Sequence, residues 1–340
     1  MIDVKASSVG PPPRVLVTGA EGFVGGWLMR ALRNRLPKDS SLIGAGRSAG
    51  AGSLVLDITQ RDQVIEAVRR SQPTCVVHLA AIANVGEARR DARTTWNVNL
   101  GGTLNLVEAI TTEAPAARLV FVGTSEAYGA TFNAIDGPLR EDAPLNPTSV
   151  YGASKAAADI LVGQMAHDGL DAVRFRPFNH AGPGQTEAYV VSAFAAQVAR
   201  IEAGLQEPVL RVGDLEPSRD FLDVRDVVEA YVRAVLLRPG SDAAGAAINL
   251  ASGQPRRIRD VLSAILARST VSISVEPDPQ RMRASDTPFA VGDASRARAI
   301  LDWTPSVSFD AMIGSVLDHW RRVVAGQEPA EGFSAASASP

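Results

Sequence analysis

Residues 14–36 read RVLVTGAEGFVGGWLMRALRNRL. The run opens as an apolar, β-branched stretch that ends in glycine, and it continues with apolar residues recurring at three- and four-residue spacing. That pattern predicts a strand, a tight turn and an amphipathic helix. Gly19, Gly22 and Gly25 fall in the turn and at the helix start. There the missing side chains let the backbone approach a pyrophosphate, and the free N–H groups and dipole of the helix N-terminus face its negative charge. By itself the spacing also fits a glycine-rich turn that merely packs a helix on a sheet. Its place directly after a first strand argues for the anion-binding use.

The alternation continues along the chain. SLIGAGR (41–47), a helix from about Asp62 to Arg70, TCVVHLAA (74–81), RLVFVGTS (118–125) and DAVRFRPFN (171–179) supply further strands and a helix. VEAYVRAVLL (228–237) and AAINLAS (246–252) read as a helix and a strand that return to the sheet. Strands separated by helices predict a parallel sheet covered on both faces, an α/β fold of the Rossmann type, doubly wound. The expected division is a nucleotide-binding domain at 14–178 plus 221–252 and a smaller C-terminal substrate-binding lobe at 179–220 plus 253–322. Residues 1–13 and 323–340, the latter rich in small and polar residues, are expected to be tails.

With 340 residues, 46% of them hydrophobic and 21% charged, the chain can build a sizeable core. Its formal net charge of -3 provides no broad basic field for nucleic acid or an anionic membrane. No run reaches the ~20 apolar residues of a membrane span, and the N-terminus lacks the apolar region of a secretory signal, so a cytoplasmic location is expected. The only cysteine, Cys75, lies in an apolar strand and reads as a core thiol in a reducing compartment. Four scattered histidines and one cysteine offer no metal cluster.

Arg47 stands at the end of the second strand, about where an acidic residue would hold the 2′-hydroxyl of NAD. A guanidinium there favours the 2′-phosphate of NADP, unless it is simply solvated, so NADP(H) is expected ahead of NAD(H). Asp57 follows a short third strand, where its carboxylate can accept from an adenine amino group or cap the next helix. Tyr151 and Lys155 share one face of a predicted helix at i, i+4 spacing, after the turn-rich PLNPTS. A phenol with a pKa near 10 is a sluggish acid at neutrality, and a neighbouring ammonium is expected to lower it. Thr124 follows the strand LVFVG at the carboxyl edge of the sheet, where its hydroxyl can polarise a reacting oxygen. Y-x-x-x-K alone is common on helices; its order after the glycine turn and a strand-end threonine carries the case.

Taken together, TGAEGFVG (18–25), HLAA (78–81), NVNLGGTLNLVEA (97–109), TSEAYG (124–129), YGASK (151–155) and RPFN (176–179) resemble the extended short-chain dehydrogenase/reductase family from about Arg14 to Trp320. The resemblance implies a catalytic triad of Thr124, Tyr151 and Lys155. It also implies nicotinamide-cofactor contacts from Gly19, Gly22, Phe23, Val24, Gly25, Arg47, Asp57, Ile58, Leu79, Ala80, Ala81, Asn99 and Phe178, besides Tyr151 and Lys155. Asn99 looks like the family asparagine that supports the site around Lys155; its other reading is a helix asparagine bonded to backbone. The segments 176–204, 209–231 and 278–305 resemble the GDP-4-dehydro-6-deoxy-D-mannose reductases, which make GDP-D-rhamnose. From them come Ser125, Glu126, Asn179, Arg219 and Arg283 as expected contacts to a GDP-linked 6-deoxyhexose. Planar guanidinium forks suit phosphate oxygens.

Alternatives stay open at several of these positions. Arg219 can instead pair with Asp220 or Asp223, Arg283 can be an exposed loop residue, and His180 can be structural. Ala284 replaces the proline usual in the reductase loop. Glu126 occupies the position of the catalytic glutamate of GDP-mannose 4,6-dehydratases, although FNHAGPGQ (178–185) departs from the FNHESPRRG typical of them. Other nucleotide-sugar dehydratases or epimerases follow as further readings, with a non-catalytic cofactor-binding regulator the most remote, since both Tyr151 and Lys155 are present. The family commonly dimerises through the helices carrying 97–109 and 151–162, so a homodimer is expected, although their small residues can instead pack on the sheet.

Overall fold

The computed structural model describes residues 12–48, 53–238, 243–281 and 287–330. The first half of the chain runs β1 (Arg14–Thr18), α1 (Phe23–Arg35), β2 (Ser41–Gly46), β3 (Ser53–Val55), α2 (Arg61–Ser71), β4 (Cys75–His78), α3 (Val85–Arg90), α4 (Ala92–Trp96), a π-helical turn at Asn97–Gly101, α5 (Gly102–Glu113), β5 (Arg118–Val122), a 3₁₀ turn at Ser125–Ala127, α6 (Thr131–Ala134), α7 (Val150–His167) and β6 (Ala172–Pro177). The second half runs β7 (Asn179–Ala181), α8 (Val190–Glu202), β8 (Val209–Val212), β9 (Ser218–Asp223), α9 (Val224–Leu236), β10 (Ala247–Leu250), β11 (Pro255–Arg257), α10 (Ile258–Leu266), β12 (Ser274–Pro277), β13 (Phe289–Ala290), α11 (Ser295–Leu301) and α12 (Phe309–Val324).

Seven strands form a wholly parallel sheet in the order β10-β6-β5-β4-β1-β2-β3. Side chains alternate across it, as the two-residue period of a strand requires. Val15, Val17, Cys75, Val77, Val120, Val173 and Phe175 join one core with Leu28 and Leu32 of α1 and Val227, Tyr231 and Val232 of α9. Leu16, Val76, Leu119, Phe121 and Ala172 join a second core with residues of α2, α5 and α7. Burial on both faces explains why the strands read as unbroken apolar runs rather than alternating ones. Strand order reverses between β1 and β4, so their carboxyl ends open a crevice at the topological switch point.

A third core is built on α8, α10 and α12 with Ala181 and Phe221. Beside it, β9 pairs with β7, β11 and β13, and β8 with β12. The segment Ala294–Trp303, which the sequence division assigns to the lobe, instead packs into the first core with the large sheet. The C-terminal boundary also moves: α12 continues to Val324, and Glu328 pairs with His319 at 2.7 Å and Arg322 at 2.8 Å. Among the described residues, no helix is long and apolar enough to cross a membrane.

Candidate active site

The glycine turn lies at the switch point. Gly19 has φ +73°, and a Cβ there would stand 2.7 Å from Ala80 N. A Cβ on Gly25 would stand 2.2 Å from the Gly19 carbonyl oxygen, so helix, turn and the loop after β4 approach more closely than any side chain permits. Gly22 caps α1 without a side-chain bond to its first-turn N–H groups. The loop after β4 is tied to β1: Leu79 N donates to Thr18 O at 3.1 Å and Ala80 N to Thr18 Oγ1 at 3.4 Å. A bare cradle of this shape fits the diphosphate of a dinucleotide, with Phe23 and Val24 opening the helix and Ala81 half-buried at the opposite wall.

The structure sorts the other expected cofactor residues. Arg47 is exposed at the end of β2 and exerts a Coulombic pull on Asp57. Asp57 does not cap α2, whose N-cap is Gln60. Its Oδ1 accepts from Thr59 N at 2.9 Å and Thr59 Oγ1 at 2.8 Å, which holds the carboxyl below its usual range. Ile58 is a core residue packed against Gly102. The ring of Phe178 is likewise buried, among Tyr128, Phe132 and Gly292, so only backbone atoms there can face a ligand.

Asn99 is held against the chain next to Lys155. From the π-helical turn its Oδ1 accepts from Ile82 N at 2.8 Å, and its Nδ2 donates to Ile82 O at 3.1 Å and to Ser154 Oγ at 2.9 Å. It thus locks the loop after β4 onto α7, one residue before Lys155.

α7 begins with Ser149, whose hydroxyl accepts from Gly152 N at 3.0 Å. A Cβ on Gly152 would lie 2.7 Å from the Glu126 carbonyl oxygen, so glycine lets the helix settle on the 3₁₀ turn. That close approach brings the phenol of Tyr151 into a hydrogen bond with the Thr124 hydroxyl. Tyr151 is half-buried. Loss of bulk solvation pushes its pKa well above the usual range, Thr124 lowers it in part, and Tyr189 and Glu126 add to the rise.

This reverses the expectation that Lys155 makes the phenol more acidic. Lys155 is itself 2% exposed, with its Nζ 4.5 Å from the centre of the Phe121 ring. Burial brings its pKa down to about 8 against the opposing pull of Asp159. Beside it, His78 is held between Thr18 Oγ1 at 2.7 Å and Thr103 Oγ1 at 3.1 Å, and burial brings it down to about 3, so it stays neutral. Cys75 is a core thiol pushed up to about 12 by burial. No group of metal-ligating side chains occurs among the described residues.

An open cleft of about 150 Å³ lies just past Thr124, lined by residues that include Ser125, Glu126, Asn179 and Arg219. Glu126 has solvent access through the cleft mouth but protein on most other sides; burial raises its pKa and Arg219 counteracts this. Arg219 does not take either partner the sequence offered. Asp220 accepts from Ser252 N, Ser252 Oγ, Gly253 N and Gly292 N, and Asp223 pairs with Arg225 at 2.7 Å. Burial lowers the pKa of Arg219, and among the described residues the charges of Glu126 and Asp214 act against that fall.

His180 stacks on Phe23 at 6.3 Å and shares a hydrogen bond of 2.9 Å with Phe178 O, a structural seat at the crevice wall. Arg283 and Ala284 lie outside the described residues. Sequence reasoning missed Phe132, Thr148, Thr287 and Ala290, which line the cleft, and Tyr189, whose field reaches Tyr151. Tyr189, Thr287 and Ala290 lie inside the quoted stretches 176–204 and 278–305 and Thr148 inside PLNPTS, but nothing in their residue type marks them for a ligand.

The sequence profile described as GDP-mannose 4,6 dehydratase matches residues 16–316. The chain belongs to this family of extended short-chain dehydrogenases/reductases. Within the family, the GDP-6-deoxy-D-mannose reductase of Pseudomonas aeruginosa is 33% identical over 313 residues, covering 90% of this chain and 97% of that protein. The structure of RMD from Pseudomonas aeruginosa complexed with NADPH superposes with a TM-score of 0.81 at 31% identity, over 92% of this chain and 99% of that one. The UDP-glucose 4-epimerase of Thermus thermophilus in complex with NAD gives 0.77 at 31% identity, over 91% and 99%. Family membership accounts for the parallel, Rossmann-like sheet.

Proposed function

We propose that this chain reduces the C4 keto group of GDP-4-dehydro-6-deoxy-D-mannose to GDP-D-rhamnose with a reduced nicotinamide cofactor. The observation that carries the reading is the glycine cradle at the switch point together with Thr124 and Tyr151 beside a cleft bearing Asn179 and Arg219. The 33% identity to the Pseudomonas aeruginosa reductase over nearly both chains supports the choice of substrate.

The cradle of Gly19, Gly22 and Gly25, the start of α1 and the Leu79–Ala81 loop would hold the cofactor. When bound, the cofactor supplies a hydride to the sugar carbonyl carbon. The chain's own residues manage the proton and the charge. Tyr151 donates its proton to the carbonyl oxygen as negative charge gathers there, and Thr124 hydrogen-bonds the same oxygen. A phenol with a raised pKa is protonated at every physiological pH, which suits an acid. Lys155, a cation in a dry seat, stabilises the phenolate left behind and supplies donors for a ribose hydroxyl. Arg219 and Asn179 orient the substrate, and water is limited by the buried floor of Ser125 and Thr124.

Arg47 provides a cation for a 2′-phosphate, the basis for expecting NADP(H). Exposed Leu104 on α5 and Ile160 on α7, 49% and 61% accessible, support a homodimer through those helices. A cytoplasmic location accords with the absence of a membrane-crossing helix among the described residues.

A second reading rests on Glu126. A carboxyl of raised pKa that faces the cleft near Tyr151 can also serve the acid/base step of a GDP-mannose 4,6-dehydratase. The deciding experiment supplies GDP-4-dehydro-6-deoxymannose with NADPH or NADH, follows loss of the reduced cofactor and identifies the sugar. Formation of GDP-rhamnose is the expected result. Conversion of GDP-mannose to the 4-keto-6-deoxy sugar without net cofactor consumption, and no oxidation with the keto sugar, overturns it in favour of the dehydratase.

A further inference from the structure

The glycine turn carries a residue that none of the chemistry above uses. Glu21 lies between Gly19 and Gly22, and its side chain crosses to the end of β2. The carboxyl carbon lies 2.5 Å, and both carboxylate oxygens 2.8 Å, from where a Cβ on Gly46 would stand. Ser48 N points to Glu21 Oε2 at 3.4 Å. Position 46 therefore has no side chain of its own, and the space above it is filled by a carboxylate borrowed from the turn.

In a doubly wound sheet the end of the second strand meets the adenosine ribose, and an acidic group there bonds the 2′-hydroxyl, while a cation there accommodates a 2′-phosphate. Arg47 supplies the cation, yet its field is shared with Asp57. The intervening segment 49–52 is Ala-Gly-Ala-Gly and adds no charge. Two carboxylates, Glu21 and Asp57, thus stand against one guanidinium at this corner, and the carboxylate of Glu21 lies on the strand end itself.

We propose that Glu21 is the cofactor-selecting residue of this chain: its carboxylate accepts from the 2′-hydroxyl of NAD(H) and repels the 2′-phosphate of NADP(H), countering Arg47. This rests on the nicotinamide reading of the cradle but not on the identity of the sugar. It also revises the preference that Arg47 alone implies.

The test is direct titration of the purified protein with NADH and with NADPH, read by quenching of tryptophan fluorescence, for the wild type, Glu21→Gln and Arg47→Ala. 2′,5′-ADP and 5′-ADP serve as competitors that differ in the 2′ group. Expected is a gain in NADPH affinity of at least ~10-fold in Glu21→Gln, equivalent to ~1.4 kcal/mol of relieved repulsion, with NADH binding unchanged or weaker. Arg47→Ala moves the ratio the other way, and 2′,5′-ADP gains on 5′-ADP only in the Glu21 variant. If Glu21→Ser, carried alongside in case the glutamine finds a bond of its own, also leaves the NADPH-to-NADH ratio unchanged, the proposal is wrong. Failure of the wild type to bind either nicotinamide overturns the cofactor reading and the proposal with it. Binding that shifts as expected without turnover of the keto sugar counts against the substrate alone.

Discussion

Replacing Lys155 with methionine should make the protein more stable and inactive at once. The ammonium is 2% exposed and its pKa has fallen from the ordinary 10.5 to about 8, chiefly because burial strips its hydration, with Asp159 offsetting part of the loss. That difference corresponds to about 3 kcal/mol by which the native fold disfavours the charged form. Below pH 8 the side chain is charged in both native and unfolded chains, so the full cost stands. Between pH 8 and 10.5 the native lysine has lost its proton while the unfolded one keeps it. The unfolded chain then binds more protons, and wild-type stability rises with pH across that window.

Lys155→Met keeps the length of the side chain and its packing over Phe121 but carries no charge. Its stability advantage, up to about 3 kcal/mol at pH 7, should therefore shrink steadily as the pH approaches 10.5. The assay is urea unfolding of the cofactor-free protein, followed by tryptophan fluorescence at pH 7, 8, 9 and 10, with turnover measured on the same preparations. A variant less stable than wild type at pH 7, or an advantage that does not change between pH 7 and 10, would refute the claim that a desolvated cation is held at this position.

Tyr151→Phe should reduce turnover by ~10²–10⁴ while nicotinamide affinity stays within a few-fold, and a nearly normal rate would remove the phenol from the chemistry. Gly152→Ala places a methyl 2.7 Å from the Glu126 carbonyl oxygen, so a loss of ~1–3 kcal/mol in unfolding free energy is expected together with a fall in kcat; unchanged stability would show that α7 does not need this approach. Glu126→Gln separates the two reactions. Keto-sugar reduction should fall by less than about ten-fold, whereas a dehydratase would lose ~10²–10⁴ in conversion of GDP-mannose. Arg219→Lys should raise KM for the sugar nucleotide by about ten-fold with kcat little altered, because an ammonium cannot offer the paired donors of a guanidinium, and an unchanged KM would detach Arg219 from the substrate.

The sequence by itself determined the features that depend on near neighbours in the chain. The glycines after β1, the helical period of α1 and the i, i+4 placement of Tyr151 and Lys155 are set by local geometry, and so they could be read without coordinates. The parallel sheet covered on both faces followed from the alternation of strands and helices, while the order of its strands is read from the coordinates.

Only the tertiary structure decided which charges meet and what surrounds them. Asn99 ties Ile82 to Ser154 across two elements, and Asp57 closes a turn instead of capping a helix. Glu126, more than ninety positions away, acts on Arg219, while Asp220 and Asp223 are engaged elsewhere. The direction of the Tyr151 shift was set by burial, and Thr124, not the lysine four residues on, is what works against it. Glu21 gained its meaning from Gly46, a residue on another strand. Desolvation and Coulomb energies depend on distances and on the protein packed around a group, and sequence separation encodes neither.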